Sequence, residues 1–173
     1  MVKYCGGVSI TVADLRQRTC CFTGHREIRE EDLPAILKRT EQVVRRLIEQ
    51  GVVFFGVGGA VGYDTEAAKL LCRLRATDYP HIKVILVYPF EGFTGRWSDA
   101  QRAEYSRLLP RYDKTVCVAQ RASREAYLER DRHLVDSSAY CIAYCTRNSG
   151  GTAYTVRYAH QQGVPVYNTA NME

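Results

Sequence analysis

The sequence predicts an α/β domain in which helices cover both faces of a mainly parallel sheet of about six strands, a three-layer sandwich. Three observations lead there. Short strand-like runs alternate with helical runs along nearly the whole chain. The strand-like runs are almost continuously apolar, as strands buried on both faces are. A length of 173 residues with 46% hydrophobic and 25% charged content suits one ordinary globular domain, and excludes a disordered chain or a collagen-like fibre.

In chain order, residues 1–18 read as an N-terminal arm or an extra strand, with weak alternation over Val8–Val12, and residues 19–173 as the single domain. Strands are expected at Thr19–Thr23, Val52–Val57, Ile82–Tyr88, Thr115–Ala119, Ala139–Cys145 and Val164–Asn168. Helices are expected between them at Glu31–Gln50, Tyr63–Arg75, Ser98–Leu109, Arg124–Val135 and Gly151–Gln162. In the first of these, Leu33, Ile36, Leu37, Val43, Val44, Leu47 and Ile48 form one apolar stripe, and Gly51 supplies the stop.

The formal charge is +5, from 24 Lys and Arg against 19 Asp and Glu, an excess too small for a histone-like or arginine-rich tail. Twelve tyrosines against five Phe and one Trp suggest many half-exposed rings, with Tyr63, Tyr88 and Tyr154 close to the glycine-bearing turns described below. The seven cysteines are odd in number, follow no signal peptide and fall mostly in apolar runs. They read as reduced, buried small hydrophobes, which points to the cytoplasm. No apolar run approaches the ~18 residues of a membrane helix.

In an open parallel sheet, ligands bind outside the carboxyl ends of the strands. The residues hardest to explain structurally collect after those ends. Thr23, Gly24, His25 and Arg26 follow the first strand. Gly58, Gly59, Ala60, Gly62 and Asp64 follow the second. Pro89 and Phe90 follow the third, with Trp97 just beyond, and Gly150, Gly151 and Thr152 lead from the fifth into the last helix. Glycine lets backbone approach a ligand closely, and N–H groups at the helix starts near Gly62 and Gly151 form anion sites. Arg26 is the better phosphate partner beside His25, because its charge is permanent and its fork bidentate. Asp64 either complements the helix dipole or accepts hydrogen bonds from ribose hydroxyls. Trp97 and Phe90 either stack on a base or cover the end of the sheet.

Thr-Gly-His-Arg at 23–26, Gly-Gly-Ala-Val-Gly-Tyr-Asp-Thr-Glu-Ala-Ala at 58–68 and Tyr-Pro-Phe-Glu-Gly-Phe at 88–93 occur in that order. Arg130 with Val135, Asp136 and Ser137 follows, then Gly-Gly-Thr-Ala-Tyr-Thr-Val-Arg-Tyr-Ala at 150–159. Over about residues 19–168 this set resembles YpsA-like proteins of the SLOG superfamily, a Rossmann-like group that includes the LOG enzymes and the DprA fold. The resemblance implies a pocket for a nucleotide or an NAD- or ADP-ribose-derived molecule. It would be built from the glycine-turn residues above together with Arg130 and Asp136. After Arg130, where the family often has Asn, this chain has Asp131.

LOG enzymes cleave the base from ribose 5′-phosphate with the signature Pro-Gly-Gly-x-Gly-Thr-x-x-Glu. Laid on this chain, the double glycine falls on Gly150 and Gly151, the Pro on Ser149, and the catalytic Glu on Arg157. Glycosidic cleavage needs a carboxylate, and a permanently charged guanidinium cannot replace it, though it can neutralise a phosphate. No Gly-x-Ser-x-Gly elbow and no Walker loop is present, and His25, His81, His133 and His160 show no metal-ligand spacing. The expectation is therefore a binder that senses, carries or sequesters a nucleotide signal, an immune signal being one case. It has no certain cofactor, no assigned catalytic residue and no metal, and is expected to form a homo-oligomer without a membrane partner. The alternatives are LOG-like or ADP-ribose hydrolysis through Asp64 or Glu66, and DprA-like binding of single-stranded DNA. Nucleic acid is not expected as a partner, because the basic residues are dispersed along the sequence.

Overall fold

The computed structural model describes residues 11–171. It contains the helices α1 (Val12–Gln17), α2 (Leu33–Glu49), α3 (Tyr63–Thr77), α4 (Asp99–Leu108), α5 (Arg124–Asp136) and α6 (Gly151–Gln161). The strands are β1 (Thr19–Gly24), β2 (Phe54–Val57), β3 (Lys83–Tyr88), β4 (Lys114–Cys117), β5 (Tyr140–Tyr144) and β6 (Val166–Asn168). All six form one sheet in the order β4-β3-β2-β1-β5-β6, and every pairing is parallel.

Successive residues of β1 feed opposite faces, as a period of two requires. Cys20 and Phe22 pack with Val43, Val44 and Leu47 of α2 and Ala67, Leu71 and Leu74 of α3. Cys21 packs instead with Leu134 and Val135 of α5 and Ala159 of α6. Both faces are thus covered, which is why the strands read as continuous apolar runs. The cysteines follow this division only in part. Cys20, Cys21, Cys72 and Cys141 are buried, whereas Cys117 is exposed on edge strand β4 and Cys145 is half-exposed just beyond β5.

Two boundaries moved inward for identifiable reasons. Val53 and Phe54 both donate to the Arg18 carbonyl (2.9 and 3.0 Å), so ladder pairing of β2 starts only at Phe54. Pro165 has no N–H to give, and β6 begins after it. The N-terminal reading also changes. Most of Val8–Val12 lies outside the described residues, and the part that is described enters a helix rather than a strand. Thr11 caps α1 by accepting from the Asp14 N–H (3.1 Å) while Asp14 accepts from the Thr11 N–H (2.8 Å), a reciprocal pair that fixes the first turn.

Candidate functional site

The chain runs outward from β1 through β2 and β3 to β4, then returns to the other side of β1 to lay down β5 and β6. This reversal leaves a crevice at the carboxyl ends of β1 and β5. A cavity of about 720 Å³ opens there, lined by the β1 loop, the start of α3, α5 from Arg124 to Leu134, the β5 loop and the start of α6.

The β1 and β5 loops are tied together at its edge. The His25 N–H donates to the Tyr144 carbonyl (3.2 Å), and His25 Nε2 accepts from the Thr146 N–H (2.8 Å). That acceptor role assigns the ring proton to Nδ1. Burial, with the charge of Arg147 nearby, lowers the pKa of His25 and favours the neutral ring.

The β2–α3 loop supplies the floor. Of its candidates only Ala60 and Asp64 line the cavity. Gly58 lies beneath it, and a Cβ there would collide with Arg130 Nη1 and come within 2.7 Å of Asp64 Oδ2. Gly62 has φ +82°, and a Cβ would strike the Arg26 carbonyl. The start of α3 is therefore plugged by the β1 loop, and the Tyr63 N–H is taken by the His25 carbonyl (3.1 Å). Of the two helix starts expected to receive an anion, only that of α6 opens on the cavity. There Gly150 has φ +89° and no side chain caps the helix among the described residues.

α5 brings the buried charges. Arg130 is 8% exposed and donates through Nε to Asp131 Oδ1 (2.7 Å) and through Nη1 to the Gly58 carbonyl. Asp64 is 5% exposed and accepts from the Ala60 N–H at a long 3.4 Å. Burial pushes its carboxyl up to about 6, against the pull of the Arg130 charge and the Ala60 N–H. The Asp131 carboxyl is also raised, burial outweighing its ion pair with Arg130. Around this floor stand Arg26, Arg124, Arg147 and Arg157, all exposed. Arg157 Nη1 donates to the Asn148 carbonyl (3.0 Å), bracing the turn before α6.

Eleven of the expected residues line this cavity: Thr23, Gly24, His25, Arg26, Ala60, Asp64, Arg130, Gly150, Gly151, Thr152 and Arg157. Gly58 and Gly62 support it by their contacts with Arg130, Asp64 and the Arg26 carbonyl, whereas Gly59 faces Leu86, Phe93 and Tyr105, outside it. Pro89 is buried, Phe90 meets Tyr127 edge-on (5.5 Å), and Trp97 packs on Phe93 and Tyr105 (5.4 and 5.8 Å), so these three sit outside it. Asp136 is misplaced by the sequence reading. α5 is about 20 Å long, and Asp136, its last residue, lies near the opposite end of the sheet, where it accepts from Tyr158 Oη (2.9 Å). Tyr63 is a core residue, its hydroxyl 2.7 Å from Thr40 Oγ1. Sequence reasoning missed Arg124, Tyr127, Asp131 and Arg147 as cavity residues. The first three were findable, since positions 124, 127, 128, 131 and 134 form one face of a helix whose start follows an expected strand.

The basic residues are dispersed along the sequence, which counts against a nucleic-acid partner, yet folding gathers arginines from four separated positions onto one rim. Among the described residues no cluster of three or more His, Cys, Asp or Glu could hold a metal, and no helix is long and apolar enough to cross a membrane.

A family model described as the YspA SLOG family (YpsA) matches residues 20–169. A UPF0398 protein of Shouchella clausii is 36% identical over 86 residues, covering 49% of this chain and 46% of its own. One from Bacillus velezensis is 24% identical over 146 residues, covering 80% of each. Among solved structures, DNA processing protein A from Helicobacter pylori, described with a single-stranded DNA binding mode, superposes with a TM-score of 0.59 at 17% identity, over 90% of this chain and 66% of that one. DprA from Streptococcus pneumoniae gives 0.62 at 15%, over 88% and 50%. This chain thus spans about half to two thirds of the DprA chains, and the likeness is one of fold.

Proposed function

We propose, from the premise that this chain belongs to the YspA SLOG family, that it binds a nucleotide-type anion in the crevice between β1 and β5 and retains it unchanged. The observation that carries this reading is the ring of exposed arginines, 26, 124, 147 and 157, around the uncapped start of α6. Helix-start N–H groups and guanidinium forks are the two standard phosphate receptors of proteins, and here they share one mouth. An NAD-derived or ADP-ribose-type ligand fits within about 300–1,000 Å³, the usual range of small-molecule sites. Carrying or sequestering is favoured over turnover, because the position that resembles the LOG catalytic Glu is Arg157.

The test is incubation with a panel of NAD-derived, ADP-ribose-type and cyclic nucleotides, removal of free ligand, denaturation and mass analysis. Intact ligand is the expected release product, and Arg26→Ala should cut retention at least about tenfold, the loss of one charge-assisted contact. Free base or ribose phosphate would instead establish hydrolysis.

A second reading is single-stranded DNA binding, favoured by the same arginine rim and by the fold shared with the Helicobacter pylori protein. It requires labelled oligothymidylate to bind with an affinity that falls steeply with salt.

A further inference from the structure

Resting on the nucleotide reading, we propose that the floor of the cavity is a diol site: Asp64 and Asp131 accept the 2′- and 3′-hydroxyls of a ribose whose phosphates face the arginine rim. The ligand class is then a ribonucleotide with a free vicinal diol, and DNA-type sugars are selected against.

The argument starts from what Asp64 lacks. Its side chain is buried, yet it lines the cavity, and its Oδ1 has no hydrogen-bond partner among the described residues. The nearby guanidinium does not supply the missing donor: Arg130 donates through Nε to Asp131 and through Nη1 to the Gly58 carbonyl, and forms no ion pair with Asp64. A carboxylate offers about four lone-pair positions, and since no fully enclosed side-chain oxygen among the described residues lacks a partner, Oδ1 is open to the cavity. Asp131 is 9% exposed, lines the same cavity, and has one oxygen engaged by Arg130. The floor therefore turns two carboxylates toward the cavity as acceptors.

Charge then orients the ligand. Two carboxylates against one guanidinium give the floor a negative balance when both are ionised, so phosphate is repelled from it. Four exposed arginines make the rim positive. The deep part of the ligand must be neutral and rich in donors while the outer part is anionic. Tyr127 and Tyr154 line the walls and offer faces for a base. With base on the wall and phosphate at the rim, the sugar meets the floor. A vicinal diol presents two O–H donors on adjacent carbons, which matches two acceptor groups gathered around one arginine.

The test uses the whole chain and calorimetric titration of the four ribonucleoside 5′-diphosphates, their 2′-deoxy counterparts and inorganic pyrophosphate. A bound ribonucleotide should exceed its own deoxy form by about 10–100-fold, the value of a hydrogen bond to a charged acceptor. Asp64→Asn should shrink that ratio to under about threefold without weakening pyrophosphate binding. The ratio on the unaltered chain needs no variant to fold, and Asp131→Asn gives a second, independent reading. If a deoxy form binds within about threefold of its ribose form, the diol site is wrong while nucleotide binding stands. If no nucleotide binds better than pyrophosphate, the nucleotide reading fails and the diol site with it.

Discussion

Asp64 sits in surroundings that favour its protonated form, and this ties the chemistry of the cavity to the stability of the fold. Its carboxyl is raised from 3.8 to about 6, chiefly by burial. Between those two values the folded chain holds a proton that the unfolded chain has released, so the contribution of Asp64 to stability is fully present below pH 4 and is lost as pH rises through about 6. Asp64→Asn removes that dependence. It should stabilise the fold by on the order of 2 kcal/mol at pH 7.5 and by almost nothing at pH 4, as read from urea midpoints at the two pH values. An equal shift at both would show that Asp64 is not held in this way. Legibility in the sequence was uneven at this scale. Thr23, His25 and Arg26 were found because they follow a strand end directly. Asp131 was passed over because the helical spacing that puts it on one face with Arg124 and Tyr127 was not followed, and its pairing with Arg130 shows only once both are buried. Asp136 was included because a motif lists residues in order and says nothing of how far a helix carries them.

Among the elements, α6 gives the cleanest separation of binding from folding. A Cβ at Gly151 would meet nothing within 4 Å, and the residue does not need a positive φ. Gly151→Glu should therefore fold normally, its carboxylate even complementing the helix start, and should still abolish ligand retention by placing a negative charge at the anion site. The expected result is a Tm within about 2 °C of the parent with retention lost. Survival of retention would move the site away from α6. The strands and helices themselves were largely legible, because burial on both faces leaves an unambiguous apolar signature in β1, β3 and β5. What the pattern did not carry was occupancy of the helix ends. The starts of α3 and α6 both follow glycine at positive φ, and only the Arg26 carbonyl packed under Gly62 distinguishes the closed one from the open one.

For the whole molecule, the sheet order β4-β3-β2-β1-β5-β6 places the crevice between two neighbouring strands that lie more than a hundred residues apart in the chain. Because ligand binding presupposes that β1 and β5 have paired, ligand should stabilise the entire fold and not one lobe. At a free concentration of 100 times Kd the gain is about 2.7 kcal/mol, or a Tm rise of roughly 5–10 °C for a domain of this size. It should be seen as one transition by both far-ultraviolet dichroism and tyrosine fluorescence. Two separated transitions would mean that the halves melt independently. The same arrangement sets a timetable during synthesis. His25 and Arg26 leave the ribosome early and meet Tyr63 and Gly62 first, but the His25 ring has no partner until Thr146 beyond β5 has followed. A nascent chain is thus blind to its ligand until the start of α6 has been made, and a fragment ending before Gly150 would neither capture ligand nor compete for it with intact copies.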